Sequence, residues 1–519
     1  MMRAPDNRRG EHLQRGLSIA VVALLGLLVG SCGSEQQAAP GAMAAPAAAS
    51  APGSAPAPAV LKPLRVNPEQ GHVGTSITVA GEGLTPRKMV ELLWATVEGS
   101  YDLKPSAETI EFYDRKFSPK RVPLGTATTD AEGRLSETFS VPEDYGETHD
   151  IVAMVDGQEV AKGGFSVVRN VTISPLQGPV GTPITIEVKG LGWTPFTNTL
   201  AVLYDNNYPG FMSAVTTAGS ARAQIRAAGP PGKHVIRVAN ASAAVPYLNL
   251  QQSPVRQHPE FRFDFTITGD AGPPPLTLDW PDGSRVAASS SLQRTASSSI
   301  AVAPGIRASL SPASGPILSE ATLQAAGLPP DAALDLLWIS AKGNRISPSG
   351  WNLIQNPVGK AQVGEDGSLS TAVGVPDDLG GWHAVRLVQG EKVLAEVPYF
   401  VERSLVGVTP ARVKSGETFT VQIKGVGWTE LDNGVAVTYD NAYLGYACGF
   451  NSQGDVTLNL VAYGGPGTHL IDLYPMIFLG HGKGPWLYNL PQLTFAQDNP
   501  GLALGYRLPA YRLAVTVVD

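Results

Sequence analysis

The feature that most constrains this chain is that it contains itself twice. Ile186-Glu187-Val188-Lys189-Gly190-Leu191-Gly192-Trp193-Thr194 recurs 235 residues later as Val421-Gln422-Ile423-Lys424-Gly425-Val426-Gly427-Trp428-Thr429. The same offset carries Ala201-Val202-Leu203-Tyr204-Asp205-Asn206 onto Ala436-Val437-Thr438-Tyr439-Asp440-Asn441, and Gly232, His234 and Ile236 onto Gly467, His469 and Ile471. A second pair flanks the first: Glu91 to Trp94 matches Asp335 to Trp338, and Gly133 to Ser136 with Val141-Pro142 matches Gly367 to Ser370 with Val375-Pro376. Between those matches the offset falls from 244 to 234, so the first copy carries ten extra residues near positions 98 to 122. The order is A, B, A, B.

This arithmetic places modules A1, B1, A2 and B2 at 62–168, 169–270, 305–402 and 403–519, with a Ser/Ala/Pro-rich connector at 271–304 that is expected to let the two halves move. Each module has the size of a sandwich domain. Ser76 to Ala80, Pro183 to Val188 and Thr418 to Ile423 alternate apolar with polar residues, the period of a strand with one buried face. With 57 Gly and 43 Pro in 519 residues, turns are frequent and long helices disfavoured. The expected fold class is all-β: four tandem immunoglobulin-like (Ig-like) β-sandwich modules in an A-B-A-B duplication.

The module openings carry a resemblance. Val171-Thr172-Ile173-Ser174-Pro175, then Gly178 to Thr182, then Gly190-Leu191-Gly192-Trp193, is similar to the start of IPT/TIG and related bacterial Ig-like domains, and Leu64 to Gly83 and Val406 to Trp428 fit the same pattern. Module A2 departs from it, with Ile317-Leu318-Ser319-Glu320 where the family has a Val-Gly-Thr pattern. These motifs are turns and core positions, so the resemblance implies a fold rather than an activity.

The amino terminus reads as an address. Arg3, Arg8, Arg9 and Arg15 precede the apolar run Leu17 to Val29, which is the length of a signal-peptide core and too short to span a bilayer. Leu28-Val29-Gly30-Ser31-Cys32 resembles a bacterial lipobox, which implies cleavage before Cys32, a lipid on its thiol and attachment to the membrane. Residues 33–61, rich in Ala, Pro, Ser and Gly, would then form a disordered tether. The expected location is the cell envelope, on the outer membrane where the host has two, since Gly33 follows the cysteine and not the Asp associated with inner-membrane retention. An acylated Cys32 leaves Cys448 without a disulfide partner, and Cys448 reads as a small packed side chain. The formal charge of −7, with no basic run after the signal, argues against a nucleic-acid partner.

Candidate binding residues come from the repeated hairpin: Tyr204, Asp205, Asn206 and Tyr208 in B1, and Tyr439, Asp440, Asn441 and Tyr443 in B2. Asp-Asn is turn chemistry with tyrosines flanking a hairpin; the functional alternative is a sugar held by the polar groups and stacked on the rings. Trp486, within Gly480 to Tyr488 ahead of Tyr506 and Tyr511, is a further candidate ligand-binding residue on what reads as a mobile aromatic loop. The ten-residue excess of A1 supplies Tyr101, Phe112, Tyr113, Arg115, Lys116, Phe117, Lys120 and Arg121 in a loop-like stretch, as binding anchors or as core cover. The four histidines His149, His234, His383 and His469 follow a Gly step in each module and read as corner residues rather than metal ligands. No metalloprotease, Cys-x-x-Cys, nucleophile-elbow or phosphate-loop signature is present, and neither metal nor cofactor is expected.

The sequence therefore points to a non-catalytic binding or adhesion scaffold whose ligand is an envelope or extracellular polysaccharide or protein. A passive spacer or surface-assembly subunit is the alternative, and a carbohydrate-active enzyme with separated carboxylates the weakest reading.

Overall fold

The structure, a computed structural model, describes residues 60–106, 108–242, 244–252, 260–286, 303–343, 350–450, 452–478 and 489–519. The expectations for the signal peptide, Cys32, the tether and Trp486 lie outside these residues. The described chain belongs to one compact unit. It is nearly all β-structure, built as a series of Ig-like sandwiches.

In B1 a three-stranded sheet, Asn170–Ser174, Pro183–Lys189 and Ala221–Arg226, faces a second sheet of Thr199–Tyr204, Asn207–Ser213, Gly232–Ser242 and Phe261–Ile267. B2 repeats this with Ser404–Thr409, Thr418–Lys424 and Val456–Val461 against Gly434–Tyr439, Ala442–Cys448, Gly467–Pro475 and Ala510–Val518. A2 packs Arg307–Ser311, Glu320–Ala326 and Leu369–Gly374 on Ala333–Gly343, Trp351–Gln362, Gly381–Gln389 and Lys392–Glu402. In A1 the first strand, Lys62–Asn67, pairs with both sheets, antiparallel to Ser76–Gly81 and parallel to Gln158–Val167.

The period-two segments form strands because every second side chain enters a core. Ile184, Ile186 and Val188 are buried while Pro183, Glu187 and Lys189 are exposed. Each sandwich core includes a large buried ring at a matching place: Trp94 in A1, Tyr204 in B1, Trp338 in A2 and Tyr439 in B2. Burying such a side chain contributes about 1.5–3 kcal/mol. Several strands break the alternation, and two of them, Thr199–Tyr204 and Gly434–Tyr439, are buried at every position. Their inner faces fill a module's own core, and on the outer face of Gly434–Tyr439 Ala436 joins the core cluster of B1.

Two expectations need correction. The connector does not run free over its described part: Thr277–Asp279 adds a strand to B2, antiparallel to Ala510–Val518, and the Arg285 guanidinium donates to the Gln497 carbonyl at 2.9 Å. The excess in A1 is not a loop. Met89–Pro105 and Ile110–Thr128 form one antiparallel hairpin of 17 and 19 residues, an arm that projects beyond its own sheet.

Candidate functional site

The two A–B joints have the same construction. In the first, Trp94 stacks on His149 at 4.6 Å between centroids, and His149 in turn meets Trp193 of B1 at 4.9 Å. In the second, Trp338, His383 and Trp428 of B2 stand at 4.8 and 5.2 Å. Trp94 Nε1 donates to Asp144 at 2.8 Å, and Trp338 Nε1 to Asp378 at 2.9 Å. The ring nitrogens of His149 lie 2.9 Å from the Ala95 carbonyl and 2.8 Å from that of Tyr145, and those of His383 lie 2.9 and 2.7 Å from the carbonyls of Ile339 and Leu379. A Cβ on Gly146 or Gly380 would strike the carbonyl of Gly190 or Gly425 across the boundary, so the modules touch backbone to backbone.

The repeated hairpins take positive φ at both central residues, 48° and 70° at Asp205 and Asn206, and 46° and 63° at Asp440 and Asn441. This is the primed turn that matches strand twist, and Asp and Asn tolerate it. The first tyrosine of each hairpin does not offer its ring to a ligand. Tyr204 and Tyr439 are 1% and 0% exposed, their hydroxyls donate to the Ala228 and Tyr463 carbonyls, and His234 and His469 stack on them at 5.5 Å. Tyr208 and Tyr443 are half-buried, with hydroxyls donating to the carbonyls of Ala244 and Asn489. Asp205 and Asp440 bond the following histidines at 2.5 and 2.6 Å. Burial alone would lower the His469 imidazolium, but the Asp440 carboxylate and the Gly465 carbonyl accept from it and hold it above its ordinary value. A sugar-stacking role has no ring surface to act through at Tyr204 and Tyr439, while Tyr208 and Tyr443 keep part of theirs in solvent. Only the B1 tip, Asp205 and Asn206, is exposed, while Asn441 is buried and its amide donates to the Arg226 carbonyl of B1 at 2.8 Å.

That last bond belongs to a broad B1–B2 contact. The edge of B1 lies on the outer face of the larger B2 sheet, where Arg226 meets Asp472 at 2.6 Å and donates to the carbonyls of Ile471 and Leu513. Beside it Arg512 holds Asp279 of the connector at 2.7 Å and donates to Tyr474 at 2.6 Å. A segment before the last B2 strand closes the rest of the edge: Phe211 N donates to the Pro491 carbonyl and accepts at its own carbonyl from Leu493 N. Buried Asp498 collects Ser213 Oγ at 2.6 Å, Val215 N at 2.8 Å, Thr216 N at 2.7 Å and Thr216 Oγ1 at 3.0 Å.

The A1 arm ends in this same region. Trp428 Nε1 donates to the Glu108 carbonyl at 2.6 Å, Phe112 N donates to Glu430 at 2.7 Å, and the Tyr101 hydroxyl donates to the Asp498 carbonyl at 2.6 Å. Ile110 and Phe112 enter an apolar cluster with Trp382 and Phe400 of A2 and Leu431 and Tyr506 of B2. Tyr101 and Phe112 therefore cover a core, Arg115 bonds Asn198 of B1 at 2.5 Å, and Phe117 packs edge-on against Tyr145. Tyr113, Lys116, Lys120 and Arg121 stay exposed. Tyr506 and Tyr511, expected beside a mobile aromatic loop, are 1% and 0% exposed.

What remains open is the outer edge of B2. Leu444, Tyr446, Val461 and Tyr463 are 49%, 46%, 54% and 48% exposed, where their B1 counterparts Phe211, Arg226 and Ala228, matching the last three, are 1%, 4% and 3% exposed. Local alternation gives no sign of this difference, which depends on contacts between modules. Cys448 lies on the same strand, half-buried and unoxidised. Among the described residues no group of three or more His, Cys, Asp or Glu is placed to hold a metal, and no helix is long and apolar enough to cross a membrane.

No protein-family model matches the chain, and no curated protein sequence matches it. Among solved structures, a Salmonella alpha-2-macroglobulin mutant is 9% identical over 88% of this chain and 31% of its own, with a TM-score of 0.17. Invasin, titled a bacterial integrin-binding protein, is 12% identical over 88% and 78% at 0.19, and a putative membrane anchored protein from Corynebacterium diphtheriae 10% identical over 65% and 88% at 0.18. The chain spans about a third of the macroglobulin's length. Overlaps this low carry no assignment of function.

Proposed function

We propose that this chain is an exported lipoprotein of the bacterial envelope, tethered through a lipid on Cys32, whose Ig-like, IPT/TIG-like modules form a non-catalytic scaffold that binds a macromolecular ligand at the outer edge of B2. The observation that carries this reading is the contrast between equivalent edges. B1 hides its edge under B2, and B2 leaves its own edge in solvent with larger apolar side chains than a solvated edge requires. The lipobox-like sequence supplies the attachment, and the acidic balance of the chain fits a ligand other than nucleic acid.

A spacer strings its modules end to end. Here the arm joins A1 to B2, and B1 lies on B2, which favours a compact binding body over a stalk. Cosedimentation of residues 60–519 with isolated envelope fragments tests the proposal. The expected result is saturable binding that is at least about tenfold weaker in a folded Tyr446→Lys, Tyr463→Lys variant, as for aromatic residues at the centre of an interface. Equal retention of both proteins, or of neither, would return the spacer reading.

A further inference from the structure

The outer edge of B2 has a template within the same molecule for what it binds. In B1, the edge strand Asn207–Ser213 carries an added piece of extended chain: Gln492 bridges Phe211 in parallel, with Pro491 and Leu493 making the backbone bonds. The approach is allowed by Gly210, where a Cβ would collide with the Pro491 carbonyl and lie 3.0 Å from the Leu493 side chain. The neighbouring edge strand is closed as well, by Gln497 on Arg222 N, Arg512 on the Gln224 carbonyl and Asn441 on the Arg226 carbonyl.

Every element of this receptor recurs in B2, and none of the described residues fills it as Pro491 to Leu493 fill it in B1. Gly445 stands in place of Gly210 with nearly the same φ, 148° against 153°, and nothing described lies within 4 Å of a Cβ built there. Tyr446 stands in place of Phe211 and pairs with Ala436 as Phe211 pairs with Ala201, which turns its N–H and carbonyl outward. No backbone bond reaches them from the described residues. An edge strand whose Tyr446 backbone groups meet no backbone partner among the described residues, with a glycine notch and exposed Leu444 and Tyr446 and without Lys or Pro to blunt it, is a template for strand addition.

We infer that Ala442–Cys448 receives an extended strand of another protein, laid parallel to it with backbone bonds at Tyr446 and apolar side chains at alternate positions. The inference rests on the binding-scaffold reading and names its partner class. A second copy of this chain is a poor donor of the equivalent piece, because Gln492 and Leu493 are each 4% exposed beneath B1.

The test uses the full chain and a fluorescent peptide, acetylated and amidated, with the sequence of residues 489–495, Asn-Leu-Pro-Gln-Leu-Thr-Phe. Fluorescence anisotropy is expected to show saturable binding that falls at least about tenfold when Gly445→Val fills the notch or Tyr446→Pro removes the N–H, with melting curves confirming that both variants fold. Absence of peptide binding, or binding indifferent to both substitutions, overturns the inference. Concentration-dependent dimerisation in sedimentation velocity that Gly445→Val abolishes, without peptide binding, assigns the edge to a second copy and overturns it too. If the peptide fails while envelope cosedimentation still depends on Tyr446 and Tyr463, the scaffold reading stands and only the strand partner is wrong.

Discussion

The two halves share their joints and differ in what surrounds them. The Trp-His-Trp stack, the Trp–Asp bond and the glycine contact agree from one half to the other, with centroid distances differing by at most a few tenths of an ångström. Outside the joints the halves diverge. The A1 hairpin crosses to B2, whereas the A2 hairpin places Trp351 against Phe450 of the B module that follows it. The B1 edge is sealed and the B2 edge is open. Duplication thus kept the part that makes an A–B pair a unit and changed the parts that decide what the unit touches. A joint is satisfied by a module's own neighbour, while an edge or an arm needs a surface that exists only after two units meet.

Substitutions at matched positions sharpen this contrast. The largest effect is expected at Arg226, whose buried pairing with Asp472 exists in one half only. Arg226→Ala leaves the buried Asp472 carboxylate with only the more distant Arg512, at 3.6 Å, and is expected to lower the unfolding free energy by about 3 kcal/mol in urea titration. Val461→Ala, at the equivalent exposed position, is expected to change it by less than about 0.5 kcal/mol. Equal effects would mean that the B1–B2 contact does not form in solution. Next come the joint tryptophans. Trp428→Phe removes the bond to the Glu108 carbonyl, which Trp193 has no counterpart for, so it is expected to cost about 1 kcal/mol more than Trp193→Phe.

The smallest effect concerns pH. His469 is held above its ordinary value, so the stability it contributes is complete below about pH 6.5 and declines as pH rises through the raised value of the folded state. Melting temperatures across pH 5.5 to 8.5 should show that decline, and Asp440→Asn should flatten it. A slope unchanged in Asp440→Asn would place its origin elsewhere.

Much of the fold was legible because its signals are local. Alternation in Pro183–Lys189, the Asp-Asn turns and the 235-residue repeat are read from neighbouring or matching residues. The same local reading treated Tyr204 and Tyr439 as available rings, since nothing beside them in sequence reveals that His234 and His469 cover them from a strand about 30 residues later. The arm was legible as an excess of residues and illegible as a structure, because its pairing partner is itself and its target lies 320 residues away at Trp428. The open edge could be found only by comparing the two copies in three dimensions, because Phe211 and Tyr446 occupy the same register in equally plausible strands.

The arm also sets an order of events as the chain is made. Tyr101, Ile110 and Phe112 emerge from the ribosome early, yet the surfaces that shelter them, Trp382, Leu431, Asp498 and Tyr506, are made last. Until those residues arrive, a nascent chain exposes an apolar arm tip and an unsealed strand edge together. Completion of the last module is therefore what closes the first: a chain that stops short of Asp498 leaves the arm tip of its first module uncovered, however well that module has folded.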